Sequence, residues 1–435
     1  MSRPTSSRSS PAASTTSAAD MHFPDPPRAT VSAVVFSPTP TSATSTTTDV
    51  LASSWDHHVH HYRIDHASVA STSSAESKAI RKVQTFAHEA PVLDVCFMTD
   101  TLAASASVDR RIRLLDLATG KTLILGKHDD SVLKLRWCPF TQMLISGGAD
   151  RSVCFWDVAL HNKGNNSSAA GLLKRLDMPD KVICLDVSPP FPAAGTESIY
   201  SASTPGKPHA RDSTPRLVVG MAGRHVYVYD LVPLRSAIDR ERAGQHVAAR
   251  DWEPDQRRES SLKFMARDVR CMPAGDGYAT SSIEGRIAVE FFDPSSKVQA
   301  LKYAFKCHRQ TVTDDMQADE EMDKPYDVVY PVHAVAFHPK HGTFASLGGD
   351  AVVSVWDAAA KKRIRQYPKF DAPITAGSFD ASGTLLCIAT GSDSTEPTTD
   401  AKTSLILKHN AWEECKPKLK SSSTSTSSKS SSSRK

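Results

Sequence analysis

The sequence predicts an all-β fold, a closed propeller of seven four-stranded blades. Two segments, SASVDRRIRLLD (105–116) and SGGADRSVCFWD (146–157), lie 41 residues apart, and each carries an Asp seven residues before its closing Asp. Apolar and polar residues alternate between those two Asp residues, as they do in half-buried strands. A period of about 40 residues that ends in Trp-Asp is typical of a propeller blade.

Blades one to six follow in order along the chain. A third clear copy of the pattern is LGGDAVVSVWD (347–357), and looser copies are SSWDHHVHHYRID (53–65), GMAGRHVYVYD (220–230) and SSIEGRIAVEFFD (281–293). Another strand-like segment precedes each copy, as in VSAVVFSP, VLKLRWCP and VHAVAFHP. Each copy and the segment before it therefore predict one blade.

Blade seven is expected from ITAGSFDASGTLLCIAT (374–390) and SLILKH (404–409). These segments supply only three strands, so the blade needs a fourth. We expect HF at positions 22–23 to provide it, which would hold the two ends of the ring together.

The remaining chain is rich in Pro, Ser, Gly and charged residues, and we interpret it as surface loops and disordered tails. The long insertions, which we expect to form loops rather than domains, are 162–170, 189–215 and 235–256. Residues 65–80 are also expected to be disordered. The predicted division is a disordered tail over 1–20, the propeller over 21–415 and a disordered Ser/Lys-rich tail over 416–435.

Composition argues against several classes of protein. The net charge of +4 comes from the last twenty residues, which hold six cations and no acid, so the body is not a basic nucleic-acid binder. The eight cysteines form no C-x-x-C pair, which argues against zinc and disulfides and favours a reducing compartment. No run of eighteen apolar residues is present, so we expect no membrane span.

Three histidines occupy equivalent positions ahead of an inner strand: His88 in TFAHEA, His128 in LGKHDD and His308 in FKCHRQ. They resemble the Gly-His position of WD repeats, in which the His pairs with the Asp of the turn between the second and third strands. The fold is therefore expected to be a WD-repeat β-propeller. We expect these side chains to form structural hydrogen bonds rather than to act as ligands or bases.

Four cations are expected near the boundary of blades five and six. The alignment places Lys306 and Arg309 on either side of His308, at one rim of the ring. It places Arg286 in the turn of blade five, where three other copies carry Asp, and Arg267 at the start of that blade's inner strand. Cations that converge repel one another unless an anion binds, so the pattern indicates a phosphate or carboxylate site. A neutralised patch is the alternative, because an acidic stretch follows at 313–323.

Blade one carries a Trp in its turn and a run of histidines. Trp55 has two interpretations: an exposed anchor for a partner, or a shield over the central channel. The histidines at 57, 58, 60 and 61 alternate between the two sides of a strand, so no three share a face and we expect no metal site.

Motifs for catalysis are absent from the sequence. It contains no Walker loop, no G-x-S-x-G, no H-E-x-x-H and no kinase signature. We therefore expect that the protein is not an enzyme and has neither a cofactor nor a metal.

Several longer stretches resemble one family within the WD-repeat proteins. They are RRESSLKF (257–264), SSIEGRIAVEFFDP (281–294), YAFKCHR (303–309) and YPVHAVAFHP (330–339), together with SSWD and GGDAVVSVWD. Over residues 21–419 the chain is similar to the Bub-three family of mitotic spindle-checkpoint proteins. The messenger-RNA export WD-repeat family of the nuclear pore shares the EGR and FKCHR motifs, but the AVEFFDP and RRESSLK stretches favour the checkpoint family.

The resemblance implies a non-enzymatic adaptor and a role for each rim residue. Family members hold a Gle-two-binding-sequence (GLEBS) segment on the top face and dock on threonine-phosphorylated Met-Glu-Leu-Thr repeats. Carried over by motif, Arg286 and Lys306 would contact the phosphate of phosphothreonine, with Arg309 in support. Arg267 would pair with acidic residues of the GLEBS segment, and Trp55 would line the peptide path.

The resemblance also implies partners and a location. The partners would be a GLEBS-containing checkpoint kinase and pseudokinase and the phosphorylated kinetochore scaffold. Ubiquitin-binding proteins or components of the mitotic checkpoint complex are further candidates. The expected location is the nucleus and the kinetochore, with a cytoplasmic pool and no membrane or nucleic-acid partner. The alternative is a messenger-RNA export factor that binds a nucleoporin GLEBS segment and RNA.

Overall fold

The computed structural model describes residues 20–38, 46–70, 79–161, 171–188, 214–312, 325–392 and 403–418. The expected disordered tails lie outside these residues, apart from Asp20 and residues 416–418. The insertion at 162–170, most of the one at 189–215 and the whole acidic stretch at 313–323 also lie outside them.

Seven four-stranded antiparallel sheets form the blades, so the predicted propeller is confirmed. The first described strand is β1 (Met21–His22). Blade one contains β2 (Val31–Phe36), β3 (Thr47–Ser54), β4 (His58–Asp65) and β5 (Ile80–Ala87). Blade two contains β6 (Val92–Phe97), β7 (Leu102–Ser107), β8 (Arg111–Asp116) and β9 (Thr122–Lys127). Blade three contains β10 (Val132–Cys138), β11 (Met143–Gly148), β12 (Ser152–Trp156) and β13 (Leu172–Asp177).

The second half of the ring repeats this order. Blade four contains β14 (Val182–Val187), β15 (Arg216–Met221), β16 (His225–Asp230) and β17 (Gln256–Glu259). Blade five contains β18 (Ala266–Cys271), β19 (Gly277–Ser282), β20 (Arg286–Phe291) and β21 (Tyr303–Lys306). A hairpin of β22 (Arg309–Val312) and β23 (Tyr326–Val329) precedes blade six. Blade six contains β24 (Val332–Phe337), β25 (Phe344–Gly348), β26 (Val353–Asp357) and β27 (Lys362–Gln366). Blade seven contains β28 (Ile374–Phe379), β29 (Leu386–Thr390), β30 (Ser404–Lys408) and β1.

Short helices lie in the connections: α1 (His66–Ala70), α2 (Val158–His161), α3 (Leu231–Arg242), α4 (Ser296–Gln299), α5 (Ala411–Glu414) and a 3₁₀ turn (Ala249–Trp252). Within the described part of the chain, no helix combines the length and apolar character needed to cross a membrane. The prediction of disorder over 65–80 is wrong at its ends, because β4 extends to Asp65, α1 follows it and β5 begins at Ile80. Residues 71–78 lie outside the described part.

The insertion at 235–256 does not form a surface loop but folds against the propeller. Asp230 caps α3 by accepting a hydrogen bond from the backbone N–H of Val232 at 2.9 Å. Leu234 and Ile238 are buried on one face of α3, in the apolar cluster between blades three and four. Trp252 joins that cluster, with its ring centroid 6.0 Å from that of Phe155. The sequence prediction of a loop there was wrong, because the segment contains α3 and a 3₁₀ turn that pack on the propeller.

Both faces of the central strands are buried, which explains their composition. Every residue of β11 (MLISGG) and β12 (SVCFW) is buried, including the polar positions that alternate with the apolar ones. Each sheet packs against a neighbouring blade on either face, so only small or hydrogen-bonded polar side chains fit at those positions.

The N-terminal strand closes the ring, as the sequence predicts. Met21 and His22 of β1 pair with Leu407 and Ile406 of β30. The backbone N–H of Phe23 donates to the carbonyl of Leu405 at 3.0 Å, so the pairing continues past β1. Because the fourth strand of blade seven comes from the start of the chain, the two ends of the propeller are joined by strand pairing.

Charged side chains join the inner strands of neighbouring blades. Arg136 on β10 donates to Asp94 of blade two at 2.9 Å and to Asp186 of blade four at 2.8 Å. Asp94 also accepts from the backbone N–H of Leu135 at 3.0 Å, which fixes the register between blades two and three. Burial raises the pKa of Asp94, but the charge of Arg136 outweighs it and holds the pKa below its usual value.

The strand order defines a top face for the ring. In a four-stranded antiparallel sheet, the turn between the second and third strands lies at the same end as the start of the first strand and the end of the fourth. The connection from each outer strand to the next inner strand therefore lies at that end as well. We call this end of the ring the top face.

Candidate functional site: the top rim of blades five and six

Arg286 and Lys306 are direct neighbours on the top face. Arg286 is the first residue of β20 and Lys306 the last residue of β21, and they are paired opposite each other in the antiparallel ladder. The side chain of Arg286 is 35% exposed, and Lys306 is exposed. Because side chains of paired residues project to the same face of a sheet, two cations lie side by side at the rim.

The expectation that Arg286 replaces the turn Asp is wrong. Gly285 has a φ of 66°, equivalent to the φ of 58° at Arg151, which follows the turn Asp150 in blade three. Glu284 precedes Gly285 and so occupies the position of that Asp. Blade five therefore retains an anion in its turn, and Arg286 is an additional cation two residues further on.

The misalignment has a simple structural cause. In blade three the closing Asp157 directly follows β12, which ends at Trp156. In blade five β20 ends at Phe291, two residues before Asp293. Counting back seven residues from Asp293 therefore stops at Arg286, the first residue of β20, and does not reach the turn.

Glu284 lies close to Arg286 without fully neutralising it. Nε of Arg286 is 3.4 Å from Oε2 of Glu284, too poorly aligned to count as a hydrogen bond. Nε of Arg286 and Oε1 of Glu284 are both buried and have no hydrogen-bond partner among the described residues. Because the Arg286 side chain is 35% exposed beside an exposed Lys, the two cations retain capacity to bind an anion.

The positive charge of Arg309 is largely neutralised by neighbouring groups of the protein. Its Nη1 donates to Asp327 on β23 at 3.1 Å, and its Nη2 donates to the backbone carbonyl of Glu284 at 3.2 Å. Hydrogen bonds from Thr311 and Arg309 hold the pKa of Asp327 below its usual range. Part of the neutralised-patch alternative therefore holds, with Asp327 as an anion for Arg309; the acidic stretch at 313–323 lies outside the described residues.

Arg267 lies at the same seam but apart from the other three cations. Its Nη2 is 2.9 Å from Nδ1 of His333 on the inner strand of blade six. Among the described residues, no hydrogen bond or ion pair joins it to Arg286, Lys306 or Arg309. The structure thus brings three of the four predicted cations together and places the fourth towards the channel.

Trp55 is an exposed residue in the top turn of blade one. Trp55 is 44% exposed, and its backbone N–H donates to the carbonyl of Thr30 at 2.9 Å. The turn is fixed while the ring is available to solvent, which favours the anchor over the channel shield.

Sequence analysis missed an exposed apolar group next to the cations. Phe264, Met265 and Ile283 are all exposed, and the backbone N–H of Ile283 donates to the carbonyl of Met265 at 3.2 Å. Phe264 also borders a small pocket between blades four and five, with Arg224 on its lining. Ile283 in the turn SSIEG, where blades three, four and six carry Ala149, Ala222 and Gly349, was the signal for this group.

Two of the three equivalent histidines make the expected structural contacts. His128 hydrogen-bonds with Asp150 at 3.0 Å and with Ser146 at 2.6 Å. His308 contacts Asp350 at 2.8 Å and Ser346 at 2.7 Å. Burial lowers the pKa of His128, but the hydrogen bonds and charges of Asp150 and Cys154 together outweigh burial and raise that pKa to about 9.

His88 differs from the other two. It contacts Ser105 at 2.7 Å, but its predicted partner Asp109 forms an ion pair with Arg113 at 2.7 Å instead. Burial, with the nearby charge of Arg113, lowers the pKa of His88 to about 4. The expected pairing of His88 with Asp109 is therefore wrong, because Arg113 takes the carboxylate.

The histidines of blade one diverge as expected. His60 contacts Asp56 at 2.9 Å, whereas His61 contacts Asp49 at 3.1 Å. The two residues are consecutive in β4, so their side chains lie on opposite faces of the sheet. No cluster of three metal-ligating side chains occurs among the residues that the structure describes.

Comparison with known proteins shows the family. The WD domain, G-beta repeat family matches residues 80–116 and 120–157. Mitotic checkpoint protein BUB3.1 of Arabidopsis thaliana is 36% identical over 78% of this chain and 79% of its own length. Spindle assembly checkpoint protein bub3 of Schizosaccharomyces pombe is 31% identical over 83% of this chain and 88% of its own.

The messenger-RNA export proteins are more distant. mRNA export factor GLE2 of Chaetomium thermophilum is 28% identical over 92% of both chains. Its broad coverage agrees with a shared propeller, while the higher identities belong to the checkpoint proteins. The chain belongs to the Bub3 family of mitotic spindle-checkpoint WD-repeat proteins.

Proposed function

We propose that this protein is a non-enzymatic adaptor of the spindle assembly checkpoint that reads phosphothreonine with Arg286 and Lys306. The ligand would be a threonine-phosphorylated Met-Glu-Leu-Thr repeat of the kinetochore scaffold. The observation that carries the proposal is the cross-strand pairing of these two cations at the top rim. Lys306 forms no ion pair within 4.0 Å among the described residues.

Phosphorylation would act as the switch through charge. A threonine offers one neutral hydroxyl, whereas its phosphate carries nearly two negative charges and three acceptor oxygens. Arg286 would donate from its guanidinium and Lys306 from its ammonium, and charge-assisted bonds of this kind are roughly twice as strong as neutral ones. Unphosphorylated peptide would leave the two cations facing each other.

The other predicted site residues would act around this pair. Arg309, which donates to the backbone of Glu284, would hold the blade-five turn in place and support the phosphate site indirectly. Trp55 would line the path of a GLEBS segment from the checkpoint kinase or pseudokinase across the top face. Arg267 would pair with acidic residues of that segment.

The proposal includes the assembly and its location. The adaptor would recruit its GLEBS partners to kinetochores, and components of the mitotic checkpoint complex or ubiquitin-binding proteins would join it there. It would act in the nucleus and at kinetochores, with a cytoplasmic pool. Checkpoint relatives at 31–36% identity support this over export.

Calorimetry with a phosphorylated repeat peptide tests the site. We expect the double variant Arg286→Glu/Lys306→Glu to bind at least about a hundredfold more weakly, because two charge-assisted bonds become repulsions. The melting temperature should stay within a few degrees, since neither side chain belongs to the core.

Lys302→Glu is the matched control. Lys302 is an exposed lysine just before β21, four residues from Lys306, and its change to Glu alters the net charge as much as Lys306→Glu alone does. It should leave the affinity nearly unchanged. If Lys302→Glu weakened phosphopeptide binding equally, a specific phosphate site at the rim would be contradicted. The loss would then be a diffuse charge effect.

A parallel titration separates the export alternative. If the protein bound single-stranded RNA more tightly than the phosphopeptide, with a steep dependence on salt, the export role would be favoured. We expect the opposite order of affinities.

A further inference from the structure

The seven outer strands of the propeller have one free edge each, and β9 of blade two differs from the others. An outer strand is paired on one side only, so half of its backbone N–H and C=O groups face outward and can pair with another chain. Natural proteins protect such edges with charged side chains or short strands. In blade six, Lys362, Arg363 and Arg365 have this role on β27.

Strand β9 exposes two large aliphatic side chains in its first half. Leu123 is 49% exposed and Ile124 is 46% exposed. Lys121 and Thr122 before them are exposed too, so four consecutive residues face solvent. No other outer strand in the described part of the chain carries an exposed large aliphatic residue.

Packing within the propeller does not account for Leu123 and Ile124. The second half of β9 forms the packed contact: Leu125 is buried, and a Cβ on Gly126 would lie 2.1 Å from the ring of Trp156. The first half could carry lysines, as β27 does, without loss of core contacts. An exposed aliphatic pair at an unprotected edge marks an interaction site.

The charges around β9 indicate what kind of partner would bind there. Lys121 precedes the aliphatic pair and Lys127 follows it, and both are exposed. Of the nearest acids, Glu89 pairs with Arg111 and Asp129 pairs with Arg175. Asp116 accepts from backbone N–H groups of its own turn and also interacts with the charge of Lys121. Lys121 and Lys127 place one cation on each side of the aliphatic pair.

We propose that β9 is a docking edge for an extended segment of a partner protein, which adds a fifth strand to blade two. Leu123 and Ile124 are consecutive and face opposite sides of the sheet. The partner segment would therefore carry two adjacent aliphatic residues, one for each side, with acidic residues flanking them to face Lys121 and Lys127. Main-chain hydrogen bonds would supply affinity and these side chains specificity.

A second copy of this chain fits the edge less well. Pairing of the same edge about a two-fold axis is antiparallel, so Lys121 of one copy would lie near Lys127 of the other. Like charges close together across a strand pair are destabilising. The site is far along the chain from Arg286 and Lys306, so this proposal stands independently of phosphopeptide binding.

A designed peptide tests the docking edge. The probe is a fluorescein-labelled Asp-Glu-Ser-Ile-Val-Thr-Glu-Asp peptide, titrated with the full-length protein in fluorescence anisotropy. Leu123→Lys/Ile124→Lys should weaken binding at least about tenfold, equivalent to about 1.4 kcal/mol. Thr85→Lys on the outer strand of blade one is the matched control and should leave binding unchanged, because Thr85 is exposed on a different edge.

Two further peptides distinguish strand pairing from general adhesion. A version N-methylated at alternate residues cannot pair with an edge and should not bind the unmodified protein, a result that does not depend on any variant folding. A version with lysine in place of each acid should bind at least about tenfold more weakly. Failure of the acidic peptide to bind, or equal binding by the double-lysine variant, would overturn the proposal. So would a dimer in sedimentation equilibrium that Leu123→Lys/Ile124→Lys dissociates, because the occupant would then be a second copy.

Discussion

The top rims of blades three and five share one turn geometry but differ in how fully their polar groups are paired. In blade three, His128 lies between Asp150 and Ser146, and Ser146 also accepts from the indole N–H of Trp156 at 2.7 Å. Arg175 adds a contact to Asp150 at 3.4 Å. These groups satisfy one another beneath the surface.

In blade five the corresponding polar groups are left partly unpaired. Glu284 occupies the place of Asp150, yet one of its carboxylate oxygens has no hydrogen-bond partner among the described residues. Nε of Arg286 is unpaired in the same way, and Lys306 is exposed beside it. A closed set of hydrogen bonds stabilises the fold, whereas an open set can accept a ligand, so one turn serves stability in blade three and binding in blade five.

The largest expected effect is a loss of stability in Asp150→Asn. Asp150 is nearly buried, and the change would leave the imidazole of His128 without its anionic partner. Removing one member of a buried charged pair typically costs about 3 kcal/mol or more. Urea denaturation followed by circular dichroism measures the free energy of unfolding.

Glu284→Gln is the matched control at the equivalent position. It should lower the free energy of unfolding by less than about 1 kcal/mol, because Oε1 of Glu284 has no hydrogen-bond partner among the described residues. If both variants lost similar stability, the turn of blade five would be as structural as the turn of blade three, and the proposed difference between them would be contradicted.

The next effect is a pH dependence that belongs to blade three. The pKa of His128 is raised to about 9 in the folded protein, above its value of about 6.5 in the unfolded chain. Its contribution to stability is therefore fully present below pH 6.5 and is lost as the pH rises towards 9. The loss should be on the order of 2 kcal/mol over that interval.

Unfolding of the wild type and of Asp150→Asn at matched pH values isolates this contribution. The difference in unfolding free energy between the two proteins should shrink as the pH rises from 6.5 to 9. Glu284→Gln should follow the wild type across the same range. A constant difference for Asp150→Asn would show that the Asp150 and His128 pair does not titrate as inferred.

The same comparison explains how far the sequence could predict the structure. The repeat predicted the number and order of blades because blades one to six share the same alternation and a closing Asp. It predicted the cations at the rim, but it misplaced Arg286 by two residues, because β20 ends before Asp293 while β12 runs directly to Asp157. A count from one end of a strand assumes a constant strand length, and blade five breaks that assumption.

Other features depended on contacts that no local pattern contains. Asp327 neutralises Arg309 from a strand on the far side of the acidic stretch, so its role follows only from the pairing of β22 with β23. The helix α3, in contrast, could have been predicted from the sequence. Asp230 is a suitable N-cap, and Leu231, Leu234 and Ile238 recur at helical spacing, but the charged residues between them suggested a loop.

The smallest expected effect is a gain of phosphopeptide affinity in Glu284→Gln. The carboxylate of Glu284 lies 3.4 Å from Nε of Arg286 and would compete with the phosphate for that guanidinium. Removing its charge should strengthen binding about threefold, equivalent to about 0.7 kcal/mol, and the gain should diminish at high salt. Glu413→Gln on α5 gives the same change in net charge at an exposed position away from the rim and should leave affinity unchanged. Weaker binding by Glu284→Gln would mean that the carboxylate positions Arg286 for the phosphate, so that the anion of blade five assists the ligand rather than competing with it.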